Sequence, residues 1–169
     1  SAVHEKGGKI IIQLMHSGRI SHPLNMSKEA EILAPSQVKA AGQMWTDSQG
    51  LQDFSVPKEM TAQDILNAKE EYVTATKNAL SAGFDGVELH AANGYLIDQF
   101  LQTKTNTRVD EYGGSVENRA RFAVEIMDAL IDVWGAGRVS IHFAPLGDDY
   151  DMGDDHPKET FGYVMKELA

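Results

Sequence analysis

Apolar positions along the chain follow two periods. Lys9-Ile10-Ile11-Ile12-Gln13-Leu14-Met15 is a short, β-branched, nearly continuous run. That pattern predicts a strand buried on both faces of a parallel sheet, with Gln13 as its odd polar member. Asp85-Gly86-Val87-Glu88-Leu89-His90, bracketed by glycines, and Val139-Ser140-Ile141-His142-Phe143-Ala144-Pro145 predict two more short strands. Between them the period lengthens to that of a helix. Thr61 and Asp64 supply a capping-box-like start, Ile65, Leu66, Ala68, Tyr72, Val73, Thr76, Ala79 and Leu80 line one face, and Gly83 is a natural stop. Ser115 can cap a second helix, with Phe122, Ala123, Ile126, Met127, Leu130, Ile131 and Trp134 on one side and Gly135 closing it. Pro157 opens a last helix carrying Phe161, Val164, Met165 and Leu168.

The predicted order is therefore βαβαβα, an α/β chain with parallel strands. From His16 to Met60 no period is sustained, and Pro23, Pro35, Gly42, Gly50 and Pro57 punctuate the stretch, which predicts one extended irregular connection. Three βα units fit either a doubly wound sheet or an eight-fold barrel. Gln13, His90 and His142 each stand at or near the carboxyl end of a predicted strand, before polar, glycine-rich segments. In a barrel that end is the catalytic face. No G-x-G-x-x-G follows a strand, which counts against a doubly wound nucleotide-binding domain.

Composition narrows the chemistry. The 169 residues include no cysteine, which excludes disulfides, thiolate metal sites and cysteine nucleophiles within them. Lys plus Arg number 15 against 25 Asp plus Glu, a formal charge of −10, and no basic cluster interleaves with aromatics. Nucleic acid is thus not an expected partner. No apolar run reaches the roughly 20 residues of a membrane helix, and the first residues lack a signal peptide's layout. The expectation is a cytoplasmic protein with no membrane partner. The chain reads as one domain over 1–169, truncated at both ends.

His90-Ala91-Ala92-Asn93-Gly94-Tyr95 carries the most chemistry. If the backbone turns helically here, spacings of three and five bring the His, Asn and Tyr side chains to one pocket. An imidazole N–H and an amide aimed at one oxygen polarise a carbonyl or nitro group, and a nearby phenol can donate a proton. The structural alternative is a strand-end His90, an Asx-type turn at Asn93-Gly94 and a packing Tyr95. Arg108, Asp110, Glu111, Arg119 and Arg121 read as ion pairs fastening a loop to a helix start. Asp148, Asp149, Asp151, Asp154 and Asp155 lack the EF-hand spacing and its terminal glutamate, so they read as a solvated acidic loop, and no zinc spacing is present.

The strings GGKIIIQLMHSGRIS, APSQV, MWTDSQGLQDFSVPKEMT, AGFDGVELHAANGYLIDQFL and NTRVDEYGGSVENRARF extend through most of the chain, and together they resemble the Old Yellow Enzyme family. The resemblance implies a partial TIM (β/α)8 barrel, its third to fifth strands with their helices, from an FMN-binding enzyme that uses NAD(P)H to reduce activated alkenes, including unsaturated carbonyl and nitro compounds. It implies that His90 and Asn93 hold the oxygen of a small-molecule substrate, that Tyr95 is the proton donor, and that Gln13 meets the pyrimidine edge of the flavin. Met15 falls where many members carry a pocket-lining tryptophan. It then reshapes the substrate cavity, or it is a strand-end core methionine. His142 falls where many members have an arginine facing N1 and the C2 carbonyl of the flavin, so the charge there becomes titratable. The alternative for His142 is a buried polar residue with a local partner. Siblings of the dienoyl-CoA or trimethylamine type, and a non-catalytic remnant or binding module, are the other readings. On the family pattern the remaining flavin contacts belong to strands not present, so activity is expected only with a homo-oligomer or a complementing chain.

Overall fold

The computed structural model describes residues 1–169. Its centre is a parallel sheet of three strands, β1 (Ile11–Leu14), β6 (Gly86–Ala91) and β7 (Val139–Phe143), in the order β1-β6-β7. Gln13 faces Glu88 across the first pair, and His90 faces His142 across the second. Side chains alternate across a strand. Val87, Leu89 and Ala91 therefore enter the core on one face, while Gly86, Glu88 and His90 fall on the other.

Helices cover only the first face. α1 (Ala62–Ser81) begins on a full capping box, in which the Thr61 hydroxyl accepts from the Asp64 N–H and the Asp64 carboxylate accepts from the Thr61 N–H. α3 (Val116–Trp134) starts at Ser115, whose hydroxyl accepts from the Asn118 N–H. α4 (Pro157–Glu167) opens on proline, where the missing N–H costs nothing. Phe122, Ala123, Ile126 and Leu130 of α3 are fully buried, and Phe100 packs on Phe122 with centroids 4.3 Å apart. Burial of each of the larger of these side chains, Phe, Ile and Leu, stabilises by about 1.5–3 kcal/mol. No helix is long and apolar enough to cross a membrane.

The predicted strands and three long helices are present, and four expectations are corrected. β1 is not buried on both faces: Ile11 is 53% exposed and Met15 51%, because nothing covers the helix-free face of the sheet. The connection from His16 to Met60 is not wholly irregular. β2 (Leu33–Ala34) pairs with β5 (Lys58–Glu59), and β3 (Gln43–Thr46) with β4 (Gly50–Asp53) as an antiparallel hairpin whose Trp45–Leu51 pair faces solvent. A further helix, α2 (Leu96–Leu101), follows β6; all six residues are buried, so no polar stripe marked it. The acidic loop is only partly solvated, since the Asp154 side chain is wholly buried and 3.5 Å from Arg119.

Buried arginines lash the connections together. The Arg108 guanidinium donates to the carbonyls of Pro35 and Met60 and forks onto Asp110. Arg119 donates to the carbonyls of Leu101 and Gly114 and to the Thr160 hydroxyl. At the amino ends of the strands Asp85 accepts from His4, Lys9 and the Ile10 N–H, and this cluster holds its carboxyl well below the usual range. The polar chemistry at that end is structural.

Candidate functional site

The opposite, carboxyl end of the sheet gathers aromatic and polar side chains with no structural duty of that kind. His90 sits one residue from the end of β6, and Tyr95 begins α2. Their rings meet edge to face, 5.1 Å between centroids and 89° between planes. On the neighbouring strand His142 brings its ring to 5.5 Å from that of His90. Three titratable rings thus share one patch, on the face the helices leave uncovered.

The tautomer of His90 follows from its backbone. The Ala92 N–H donates to Nδ1 at 3.2 Å, so Nδ1 is the acceptor and the ring proton lies on Nε2. Burial, then the nearby His142, lower the pKa of His90. At neutral pH His90 is consequently a neutral N–H donor.

The turn that follows is not helical, contrary to the geometry the spacing suggested. Asn93 has φ 55° and Gly94 φ 81°, both left-handed, and Tyr95 returns to extended backbone. A left-handed asparagine is tolerated because its short polar side chain lacks β-branching. Asn93 stands exposed in this turn, two residues before Tyr95. The structure therefore brings the rings of His90, Tyr95 and His142 together. His142 is exposed on the uncovered face of the sheet.

Gln13 lies one rung lower on the same face, its amide donating to Glu88 Oε1 at 2.7 Å. Ser140 reaches the other Glu88 oxygen at 3.4 Å, so the rung runs across all three strands. Met15 follows Gln13 on the same side of β1 and is half exposed rather than core. A hollow of about 310 Å³ bordered by Gln13 and Met15 opens at the free edge of β1 against Glu71 and Tyr72, and it does not reach His90, Tyr95 or His142.

Four residues of this region escaped the sequence reading. Glu88 was legible in principle, since it precedes His90 by two on a strand and must share its face. Arg19, Asp98 and Gln99 were not, because their roles rest on contacts across the fold. The Arg19 guanidinium, 1% exposed, donates to the carbonyls of Val38, Lys39 and Tyr150. It thereby joins the segments that follow β1 and β7. Tyr150, left-handed at φ 57°, packs with Tyr95 and Met44 on a small cluster of Ile20, Ala40 and Phe54. Asp98 and Gln99 hold Gly94, taking its N–H at 3.0 Å and donating to its carbonyl at 2.6 Å.

Known proteins are similar to this chain in sequence and fold. The sequence model of the NADH:flavin oxidoreductase / NADH oxidase family matches residues 1–169. A Leishmania infantum protein named "Probable flavin mononucleotide-dependent alkene reductase" is 44% identical over 171 residues, covering 99% of this chain and 47% of that protein. The solved Old Yellow Enzyme homologue of Zymomonas mobilis superposes with a TM-score of 0.93 at 38% identity, over 99% of this chain and 46% of the other. Morphinone reductase gives the same TM-score at 43% identity, again over 99% and 46%. The chain spans less than half the length of these relatives. It belongs to the NADH:flavin oxidoreductase / NADH oxidase family, the Old Yellow Enzyme group of flavoproteins.

Proposed function

We propose that this chain is the third-to-fifth-strand sector of an eight-fold barrel, in an enzyme that uses FMN and NAD(P)H to reduce activated alkenes. The observation that carries the reading is the ring cluster: a neutral His90 with its proton on Nε2, Tyr95 edge-on against it, and His142 beside them at the carboxyl ends of parallel strands.

The residues present fit a flavin. The uncovered face offers apolar Ile11 and Met15, each about half exposed, and between them the amide of Gln13. Its Nε2 is committed to Glu88, which leaves the carbonyl oxygen to accept from a ring N–H. His142 supplies an imidazole one rung higher. A flat heteroaromatic ring with polar edges matches such a surface. Gln13 and His142 would hold that ring, and the bound flavin would supply the hydride.

The chain's own residues then act on a small-molecule substrate. The Nε2–H of His90 and the Asn93 amide donate to a carbonyl or nitro oxygen, drawing electron density from the conjugated double bond. Tyr95 donates its hydroxyl proton to the carbon beside the one that accepts hydride. The Ala92 N–H prevents His90 from presenting a lone pair instead of a proton, because it occupies Nδ1.

The test is Tyr95→Phe in the full-length flavoprotein, with each half-reaction followed by rapid mixing. Flavin reduction by NAD(P)H should be unchanged, and flavin reoxidation by an unsaturated carbonyl compound should slow by about 10²-fold or more, the usual contribution of a positioned acid. Equal slowing of both halves would remove Tyr95 from the chemistry.

A further inference from the structure

Gly94 lies between the proposed oxygen-holding Asn93 and the proposed proton donor Tyr95, and both of its peptide polar groups are held by consecutive buried side chains of α2. Asp98 Oδ2 accepts from the Gly94 N–H at 3.0 Å, and Gln99 Nε2 donates to the Gly94 carbonyl at 2.6 Å. Asp98 is 1% exposed and Gln99 fully buried. Behind them each is held in turn. The Gln102 amide donates to Asp98 Oδ1 at 2.6 Å, and the Arg19 N–H donates to Gln99 Oε1 at 3.1 Å. The fit is close: a methyl group on Gly94 would stand 3.1 Å from Met152 Cγ, and one on Gly18 would overlap the Gln99 amide.

Two successive left-handed residues, one of them not glycine, are costly to hold. A turn of this kind persists only where its surroundings determine it. We propose that Asp98 is a positioning residue which, with Gln99, clamps the Gly94 peptide and so fixes Asn93 and Tyr95 against the substrate, its carboxylate form being the one that holds the turn. This rests on the function proposed above, and it adds a buried carboxylate that the reaction itself does not use.

The carboxylate's surroundings make that form sensitive to acid. Burial pushes the Asp98 carboxyl up to about 6, against the lowering effect of the Gln102 and Gly94 donors, and the negative charge of Asp154 raises it further. The charged group acting on it is Asp154, from the segment before α4, which is itself paired with Arg119 of α3. Both carboxylate oxygens accept from N–H donors, so a proton arriving on either one meets no acceptor unless the Gln102 amide turns over. Protonation also reduces the bond to Gly94 from charge-assisted to neutral, roughly halving its strength. As pH falls through 6 the turn loosens, and alkene reduction declines while flavin reduction does not.

The experiment uses the full-length flavoprotein with Asp98→Asn and Asp98→Ala. In substrate-free protein the amide resonance of Gly94 should titrate near pH 6 in the parent and stay flat in Asp98→Asn. The rate of alkene reduction should show an acid limb in the parent, and Asp98→Asn, whose amide offers one acceptor and one donor as the protonated acid does, should abolish that limb by holding its lowered acid-end rate at every pH. Asp98→Ala, leaving the Gly94 N–H unheld, should lose about tenfold in alkene reduction and nothing in flavin reduction, the loss of one hydrogen bond to a charged group. A Gly94 resonance that does not titrate, or that titrates equally in Asp98→Asn, overturns the clamp. An acid limb that survives in Asp98→Asn, or equal losses of both half-reactions in Asp98→Ala, overturns its link to catalysis. The resonance needs no substrate, so the clamp stands or falls independently of Tyr95, whose own variant tests the reaction.

Discussion

His142 stands where the family resemblance leads one to expect an arginine, and the structure shows what its ring touches. Its ring lies 5.5 Å from that of His90, and its influence contributes to the lowered pKa of His90. An arginine in that place would be charged at every working pH, whereas histidine carries its charge only in acid. The sign of the coupling follows. His142→Asn removes a positive neighbour and should raise the His90 titration midpoint, while His142→Arg makes that neighbour permanent and should lower it. Imidazole resonances in the full-length protein measure both, and midpoints that move together or not at all would show the rings to be uncoupled. His90, Asn93 and Tyr95 stood out as candidates from the motif, and His142 from its place at the end of a strand. Their arrangement was not, since neither the left-handed turn nor the Gly94 clamp leaves a periodic trace in sequence.

Among the elements, legibility followed amphipathicity. α1, α3 and α4 bury one stripe and expose another, and their caps are spelled out by Thr61, Ser115 and Pro157. α2 escaped because a helix buried on all sides has no polar stripe to set its period. The β3–β4 hairpin escaped because its outward Trp45 and Leu51 are apolar, so the expected alternation is absent. Arg108 in the loop before α3, and Arg119 and Arg121 near the helix start, were rightly read as fasteners, yet the reach of Arg119 to Thr160 and Asp154 spans segments far apart in sequence. That difference ranks two substitutions. Thr61→Ala removes an exposed cap and should cost about 1 kcal/mol. Arg119→Ala strands the buried Asp154 carboxylate and several carbonyls, and should cost about 3–5 kcal/mol. Urea midpoints in the full-length protein decide the order, and a smaller effect at Arg119 would mean that water reaches Asp154.

The molecule as a whole is one-sided. Its core lies between the sheet and the helices, and the face carrying Ile11, Gln13, Met15 and His142 has no layer above it. β1 and β7 each have a partner on one side only, so both edges present unpaired backbone N–H and C=O groups. Parallel strands are stable where both faces and both edges are covered, and an open apolar edge is a template for another chain. A length of 169 residues would by itself suit one domain, but length counts residues and not the surfaces they leave open. The 169-residue polypeptide expressed alone should therefore associate, with sedimentation showing species above one chain and an apolar dye binding the uncovered face. Adding a polypeptide that carries the missing strands should reduce both signals and confer retention of FMN. A compact monomer that unfolds in one cooperative step and ignores the complementing strands would mean that three strands and their helices suffice, and that the open face is stable in water as it stands.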